Sequence, residues 1–432
     1  MGRMTRPQPN PAETDGSRRW VLYSILFFLG WVMMYADRSI LAPVQSLVAD
    51  QFQLTNAEVG LVSSVFFGVY VLTQIPSGIL GDRVGRVRLI FVGFLIFGVA
   101  TSLTGVTGLM HVFGLFLLMR AFAGLGEGLY YGPQYAKSGE ETPLKHRALG
   151  AAIINSGQGF GTAIGITAAS FFTFTLGWEW PWTFVVFGGL TLVVGLLIRF
   201  LIPESKPARE PERLSSELRR FGSLLKSPVL LGTFVMLFCG VYTFFVMVTW
   251  LPTFLEAEWG LEPSQAGLMA SLAFWIAIPG GILMGFLSDR VRSRRPFVLV
   301  LVPLAVGAIL LLTFAPNEGV LLAAILLYGA FGKLALDPVL ISSVADNIPN
   351  DMRSSAYGLY NCIGMAAAIL APPATGALVD TTGSFQTAFL VAAGLLVLGA
   401  VVFLSLFRER KNPIGPRENA VTPHTAPVAD AA

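Results

Sequence analysis

Long apolar stretches separated by short polar connections dominate the pattern of this chain. About twelve of them reach the roughly 20 residues that a helix needs to cross the hydrocarbon core of a bilayer. They begin near Trp20, Ala57, Leu89, Val112, Ala148, Trp182, Pro228, Ser264, Pro296, Gly319, Ser354 and Ser384. The pattern predicts an all-α membrane protein of twelve transmembrane helices, numbered here as spans 1 to 12.

The second half of the chain repeats the first. The segment that leads into span 2 and follows it is echoed around span 8, so that Asp82 matches Asp289 at a spacing of 207 residues, and a second echo follows at 206. The repeat predicts two six-helix bundles over 20–202 and 228–407, joined by a charged cytoplasmic linker over 203–227. Parallel halves of this kind are a transporter architecture, with the substrate site between them near the middle of the membrane.

Composition and charge agree with a membrane location. Apolar residues make up 54% and charged residues 13% of the 432 positions, whereas soluble proteins have roughly 25% charged residues. If the N-terminus is cytoplasmic, every Lys and Arg outside the spans falls on the cytoplasmic side, and only Arg38, Arg120 and Lys333 lie within spans. This positive-inside pattern predicts that both termini are cytoplasmic. The polar tails 1–19 and 408–432 are expected to be disordered, and no cleavable signal peptide is evident.

One loop motif occurs twice. GILGDRVGRVR follows span 2 and GFLSDRVRSRR follows span 8; a solvated basic loop would explain the arginines but not the repeated Gly-x-x-x-Asp-Arg spacing. The doubled motif resembles the cytoplasmic loop signature of the major facilitator superfamily. In that family the loop carboxylate helps to hold the closed cytoplasmic gate, a role that the resemblance gives to Asp82. The gating residues implied are Gly78, Asp82, Arg83, Gly85, Arg86, Asp289 and Arg290.

Further motifs narrow the resemblance within that superfamily. YADRS in span 1, YVLTQIPSG in span 2, RAFAGLGEGLYYGP in span 4, NSGQGFGTAIG in span 5 and APPATGALVDTTGSFQTAFL in spans 11 and 12 are similar to the anion:cation symporters. That group includes bacterial sugar-acid and aromatic-acid permeases, sialin and the vesicular glutamate transporters. The resemblance covers almost the whole chain apart from the tails. Span 5 lacks the Gly-Pro-rich motif of drug antiporters, which argues against that group.

Six ionisable residues lie within the predicted spans, although each costs roughly 2.5–3.5 kcal/mol at the centre of a spanning helix. They are Asp37, Arg38, Arg120, Glu127, Lys333 and Asp337. Asp37 and Arg38 are neighbours, so a helix points them about 100° apart and each needs a partner elsewhere. Arg120 and Glu127 share a face of span 4 but lie about 10 Å apart along its axis. We therefore expect span 4 to face span 1, with Asp37 and Arg120 as a cross-helix pair in the empty carrier.

Lys333 occupies the position that corresponds to Glu127 at the spacing of 206 residues. It is then expected at the same depth as Glu127, facing the same cavity from the other half. Two interpretations remain open, because Lys333 could bind substrate or could pair with Asp337 at i,i+4 and only stabilise span 10. The two interpretations are compatible if Asp337 pairs with Lys333 until an anion binds. A substrate contact of Lys333 would indicate a dicarboxylate or a second acidic group.

The charges indicate the kind of substrate. Three cations that converge on a cavity suit a carboxylate, and arginine offers it a planar pair of donors. Import of an anion against an inside-negative potential requires cotransport of cations, and Asp37 and Glu127 are the candidate proton carriers. The resemblance implies the same groups at the matching positions. The substrate-binding residues then expected are Arg38, Arg120, Tyr70, Gln158, Asn361 and, from the repeat, Lys333.

These observations predict a secondary transporter that imports an organic anion by proton symport. Anion exchange and proton-driven efflux remain alternatives, because the sequence shows the direction of transport poorly. No nucleophile–base set predicts an enzyme, and the three scattered histidines form no metal motif. We expect no cofactor beyond the proton gradient and no nucleic-acid partner. A monomer in the lipid bilayer of the plasma membrane, the inner membrane of a bacterium, is the expected form.

Overall fold

The structure is a computed structural model that describes residues 19–143, 146–204, 222, 224–291, 293–348 and 353–408. Most of both predicted tails and most of the predicted linker lie outside these residues. Within them, long α-helices follow one another along both halves of the chain.

Twelve spans can be followed through the described residues. In the first half, span 1 is Arg19–Ser39 with a 3₁₀ turn Ala42–Val44 and the helix Gln45–Phe52, span 2 is Asn56–Val84, span 3 is Arg86–Leu109, span 4 is Phe113–Gly128 with Tyr131–Glu141, span 5 is Arg147–Ser170 with a π turn Phe171–Thr175, and span 6 is Pro181–Leu201. In the second half, span 7 is Pro228–Trp259, span 8 is Pro263–Val291, span 9 is Arg295–Thr313, span 10 is Glu318–Phe331 with Lys333–Asn347, span 11 is Arg353–Thr382, and span 12 is Phe385–Leu406.

Eleven of the described spans are long and apolar enough to cross a membrane, and span 5 is the exception. Its polar residues, Asn155 and Gln158, and its many small residues lower its mean hydropathy. Gly161 and Gly165 face the backbone of span 1, and a Cβ atom at either would lie 2.5 Å from the carbonyl oxygen of Val32 or 2.6 Å from that of Ala36. Small residues four positions apart allow helices to approach closely in a membrane. Span 5 therefore gives up hydrophobicity for contact with the span that carries Asp37.

Spans 4 and 10, which correspond in the repeat, are both interrupted. Span 4 turns at Leu129 and Tyr130. Span 10 breaks at Gly332, whose ψ of −155° is extended, and a new helix starts at Lys333. Lys333, which was predicted to lie within span 10, is the first residue of its second segment, and the amides of Ala335 and Leu336 bond back to the Gly332 carbonyl.

The two halves meet where span 2 packs against span 11 and span 5 against span 8. At the end where span 2 begins, the contact is between backbones. A Cβ atom at Gly60 would lie 2.5 Å from the Pro373 nitrogen, and one at Gly376 would lie 2.2 Å from the Asn56 carbonyl oxygen. We call this region, formed by Asn56 and Gly60 against Pro373 and Gly376, the sealed end. The positive-inside pattern predicts that it faces outward.

Candidate substrate and proton site

Asp37 and Arg120 form a buried ion pair between spans 1 and 4. Arg120 Nη1 donates to Asp37 Oδ1 at 3.1 Å, and Arg120 Nη2 lies 3.0 Å from Asp37 Oδ2. The Thr101 hydroxyl of span 3 also donates to Asp37 Oδ1, at 2.9 Å. The side chains of Asp37 and Arg120 are 1% and 4% exposed. The structure thus confirms the predicted cross-helix pair and adds a donor, Thr101, that the sequence did not indicate.

Arg38 and Glu127 form the second buried pair. Arg38 Nε donates to Glu127 Oε2 at 2.8 Å, and Arg38 Nη2 lies 2.7 Å from the same oxygen. The rings of Tyr35 and Tyr70 each lie 4.7 Å from the guanidinium carbon of Arg38. Among the described residues, the other oxygen of the carboxylate, Glu127 Oε1, is buried without a hydrogen-bond partner. The pair therefore leaves one carboxylate oxygen uncommitted.

Amide side chains extend the site toward the second half. Asn361 Nδ2 of span 11 donates to Gln74 Oε1 of span 2 at 2.7 Å, and Gln74 Nε2 donates to the Tyr70 hydroxyl at 3.3 Å. Tyr70 is the residue stacked on Arg38, so this chain of contacts runs from the second half to the Arg38–Glu127 pair. In span 5, Gln158 Nε2 is buried and has no hydrogen-bond acceptor in the part of the chain that the structure describes.

Lys333 and Asp337 form a third pair, in the second half. Lys333 Nζ lies 2.5 Å from Asp337 Oδ2, and the two side chains are 10% and 17% exposed. The ammonium also lies 5.1 Å from the ring centre of Phe244. The structure shows the i,i+4 pair, which was one of the two interpretations left open by the sequence.

The loop motifs are held by ion pairs within each half. Arg86 bonds to Glu140 of span 4, and Arg294 Nε donates to Asp346 Oδ2 of span 10 at 3.0 Å. Gly85 adopts a φ of 109°, a conformation that favours glycine, between spans 2 and 3. Glu204, after span 6, accepts bonds from the first amides of span 3.

Of the other predicted gating residues, Gly78 faces Gly132 of span 4, and Arg83 and Arg290 are exposed. The side chains of Asp82 and Asp289 lie outside the described part of the structure. Their predicted role in the gate stays a prediction.

Comparison with known families decides the classification. Residues 27–262 and, separately, residues 251–429 match the family described as Major Facilitator Superfamily. The chain belongs to this superfamily. It is a multi-pass membrane transporter and not an enzyme.

Relatives in this superfamily transport organic anions. The chain is 25% identical to the probable galactarate/D-glucarate transporter of Escherichia coli K12, covering 95% of this chain and 98% of the relative. It is 28% identical to the probable sulfoacetate transporter of Cupriavidus necator, covering 87% and 91%. It is 25% identical to the voltage-gated purine nucleotide uniporter SLC17A9 of mouse, covering 95% and 96%. The resemblance to anion:cation symporters is thereby confirmed.

A solved structure shows the same fold. A bacterial homologue of the human lysosomal transporter Spinster, in an inward-facing and unoccupied conformation, superposes with a TM-score of 0.75 at 17% identity, covering 91% of this chain and 98% of that one. This likeness confirms the architecture of the superfamily. A shared fold does not by itself give a shared substrate.

Proposed function

We propose that this transporter imports an organic anion, a sugar acid or an aromatic or dicarboxylic acid, by proton symport with alternating access. The observation that carries the proposal is the buried Arg38–Glu127 pair, in which Glu127 Oε1 has no partner in the described part of the chain. An arginine fork suits a carboxylate, and the free oxygen of Glu127 suits a proton. The names of the relatives, which include galactarate, D-glucarate and sulfoacetate, support the same class of substrate.

The proposed cycle exchanges partners. A substrate carboxylate takes Arg38 from Glu127, and Glu127 carries a proton while its cation is engaged. Tyr35 and Tyr70 hold the guanidinium in place, and Gln74 and Asn361 present amide groups to the rest of the ligand. Gln158, with its unused donor, contributes from span 5. In the second pair, Asp37 is a further proton carrier and Arg120 a further binding group for the anion.

Glu127→Gln tests the coupling. Glutamine keeps an oxygen that can accept from Arg38, but it cannot gain or lose a proton at neutral pH. In proteoliposomes with an inward proton gradient, we expect wild-type protein to accumulate a labelled member of a panel of D-galactonate, galactarate, D-glucarate and sulfoacetate. We expect Glu127→Gln to lose this accumulation while it retains counterflow of the same anion. Asp37→Asn is expected to lose accumulation as well.

Other outcomes would change the mechanism. Uptake that requires an anion on the opposite side and ignores the pH gradient would identify an exchanger. Accumulation by Glu127→Gln at the wild-type level would contradict the coupling role of this carboxylate. Extrusion driven by an inward proton gradient would identify an efflux carrier, since the same fold runs in either direction.

Lys333→Ala tests whether the second half contributes a cation to the ligand. If Lys333 binds a second acidic group, the half-saturation concentration for a dicarboxylate such as galactarate rises by about 10- to 100-fold, the range expected for a charge-assisted hydrogen bond. The value for the monocarboxylate D-galactonate changes little. The matched control, Asp337→Asn, removes the carboxylate that pairs with Lys333 and leaves the ammonium in place. It is not expected to raise the half-saturation concentration for galactarate. Unchanged galactarate affinity in Lys333→Ala would limit Lys333 to stabilising span 10.

A further inference from the structure

We propose that Asp380 is a latch that holds the two halves together at the sealed end. Asp380 lies near the end of span 11, in the second half. Its Oδ1 accepts from the Asn56 amide at 3.1 Å and from Asn56 Nδ2 at 2.8 Å, and its Oδ2 accepts from the Ala57 amide at 2.9 Å. Asn56 and Ala57 are the first residues of span 2, in the first half. One carboxylate therefore bonds three donors across the boundary that transport must open.

The first amides of span 2 bond to acceptors in both halves of the protein. The first amides of a helix have no partner within the helix and are normally capped by a nearby side chain. Here Thr55 and Glu58 form a capping box, in which the Thr55 hydroxyl accepts from the Glu58 amide. The amides of Asn56 and Ala57 bond instead to Asp380. The cap of this helix is complete only while the halves are in contact.

Two other carboxylates show what an ordinary cap looks like in this protein. Glu258 Oε1 of span 7 accepts from the Phe385 amide at 3.4 Å, at the start of span 12. Glu204 accepts from the amides of Val87 and Arg88 at the start of span 3. Each joins elements of the same half, so neither bond has to break when the halves move apart.

Backbone packing reinforces the latch. The Gly60–Pro373 and Gly376–Asn56 contacts lie beside Asp380 and bring spans 2 and 11 together without intervening side chains. Closure of these contacts places Asp380 over the start of span 2, and opening leaves the amides of Asn56 and Ala57 without this partner. Asp380 thus contributes to the population of the closed state and takes no part in holding the substrate.

The latch can be measured as a distance without any substrate. Met110 and Gln386 are exposed at the same end of the molecule, in the first and second halves. Cysteines at these positions, spin-labelled in full-length protein with Cys239 and Cys362 replaced by alanine, report the separation of the halves in nanodiscs by pulsed electron paramagnetic resonance. We expect one short distance to dominate in this background. Asp380→Asn is expected to raise the ratio of a longer component to the short one by about tenfold, since two bonds lose their charge assistance and the third donor loses its acceptor.

Glu258→Gln is the matched control, because it neutralises a cap within one half at the same end of the molecule. It is expected to leave the distance distribution unchanged. Asn56→Ala removes only the side-chain donor of the latch and is expected to give a smaller shift in the same direction. The proposal is overturned if Asp380→Asn keeps the wild-type distribution, or if Glu258→Gln shifts it as much. Either result is independent of which anion the protein carries.

Discussion

Replacement of Arg120 by alanine is expected to unfold the protein at a markedly lower temperature and to abolish transport. The change leaves Asp37, 1% exposed, with a hydrogen bond from the Thr101 hydroxyl and no cation from span 4. Removal of one partner from a buried ion pair costs about 3–5 kcal/mol, because the remaining charge is buried without compensation. Thermal unfolding in detergent, followed by tryptophan fluorescence, measures the loss.

The double variant Asp37→Asn with Arg120→Gln separates stability from function. Both side chains become neutral and can still bond to each other, so most of the lost stability is expected to return. Transport is not expected to return, because neither the proton carrier nor the cation is restored. If the single variant is as stable as the double variant, the pair does not stabilise the fold as the geometry implies.

Gly60→Ala is expected to slow turnover by about tenfold or more, since overpacking a close contact costs about 1–3 kcal/mol. The added Cβ atom would lie 2.5 Å from both the nitrogen and the Cα atom of Pro373, which are backbone atoms with little freedom to move. The sealed end would then fail to close fully in each cycle. Counterflow of labelled anion in proteoliposomes measures the rate.

Gly68→Ala provides the comparison, because it makes the same chemical change in the same helix. Apart from its own helix, no atom of the described residues lies within 4 Å of a Cβ atom at Gly68. We expect this variant to keep nearly the wild-type rate. Equal impairment of both variants would show that alanine disturbs span 2 in general, and a wild-type rate in Gly60→Ala would show that the sealed end tolerates the extra methyl group.

Much of the site could be predicted from helix geometry. Asp37 and Arg38 point to different partners because they are adjacent on a helix, and the seven-residue spacing of Arg120 and Glu127 puts both toward span 1. The pairing of Asp37 with Arg120 followed from this. The partner of Arg38 did not, since Glu127 and a substrate carboxylate offer the same chemistry to a guanidinium. The repeat placed Lys333 near the site. The segment AFGKLALDPV did not lead us to predict that one helix ends at Gly332 and another begins after it.

Contacts between the halves escaped prediction for a different reason. Gln74 lies one turn after Tyr70, so its position on the same face was readable, whereas its bond to Asn361 depends on how the halves are tilted. Asp380 and Asn56 are 324 positions apart in the sequence. Neither breaks a local rule: an aspartate near a helix end and an asparagine after a threonine are ordinary residues there. Their interaction arises only when two six-helix units meet in a particular orientation.

The break at Gly332 changes what kind of anion site Lys333 offers. Because a helix begins there, Lys333 stands at the positive end of a helix dipole, worth roughly half an elementary charge. The amides of Ala335 and Leu336 bond to the Gly332 carbonyl, and the two amides before them have no acceptor within the helix. An arriving carboxylate would meet the side chain and the helix end together, a stronger combination than a lysine in an unbroken helix. Asp337, one turn along the helix, already holds the ammonium, with Lys333 Nζ and Asp337 Oδ2 2.5 Å apart. Asp337 therefore competes with the ligand for Lys333. Only an acidic group that binds the ammonium more strongly than Asp337 would displace it, and weakly binding anions would not.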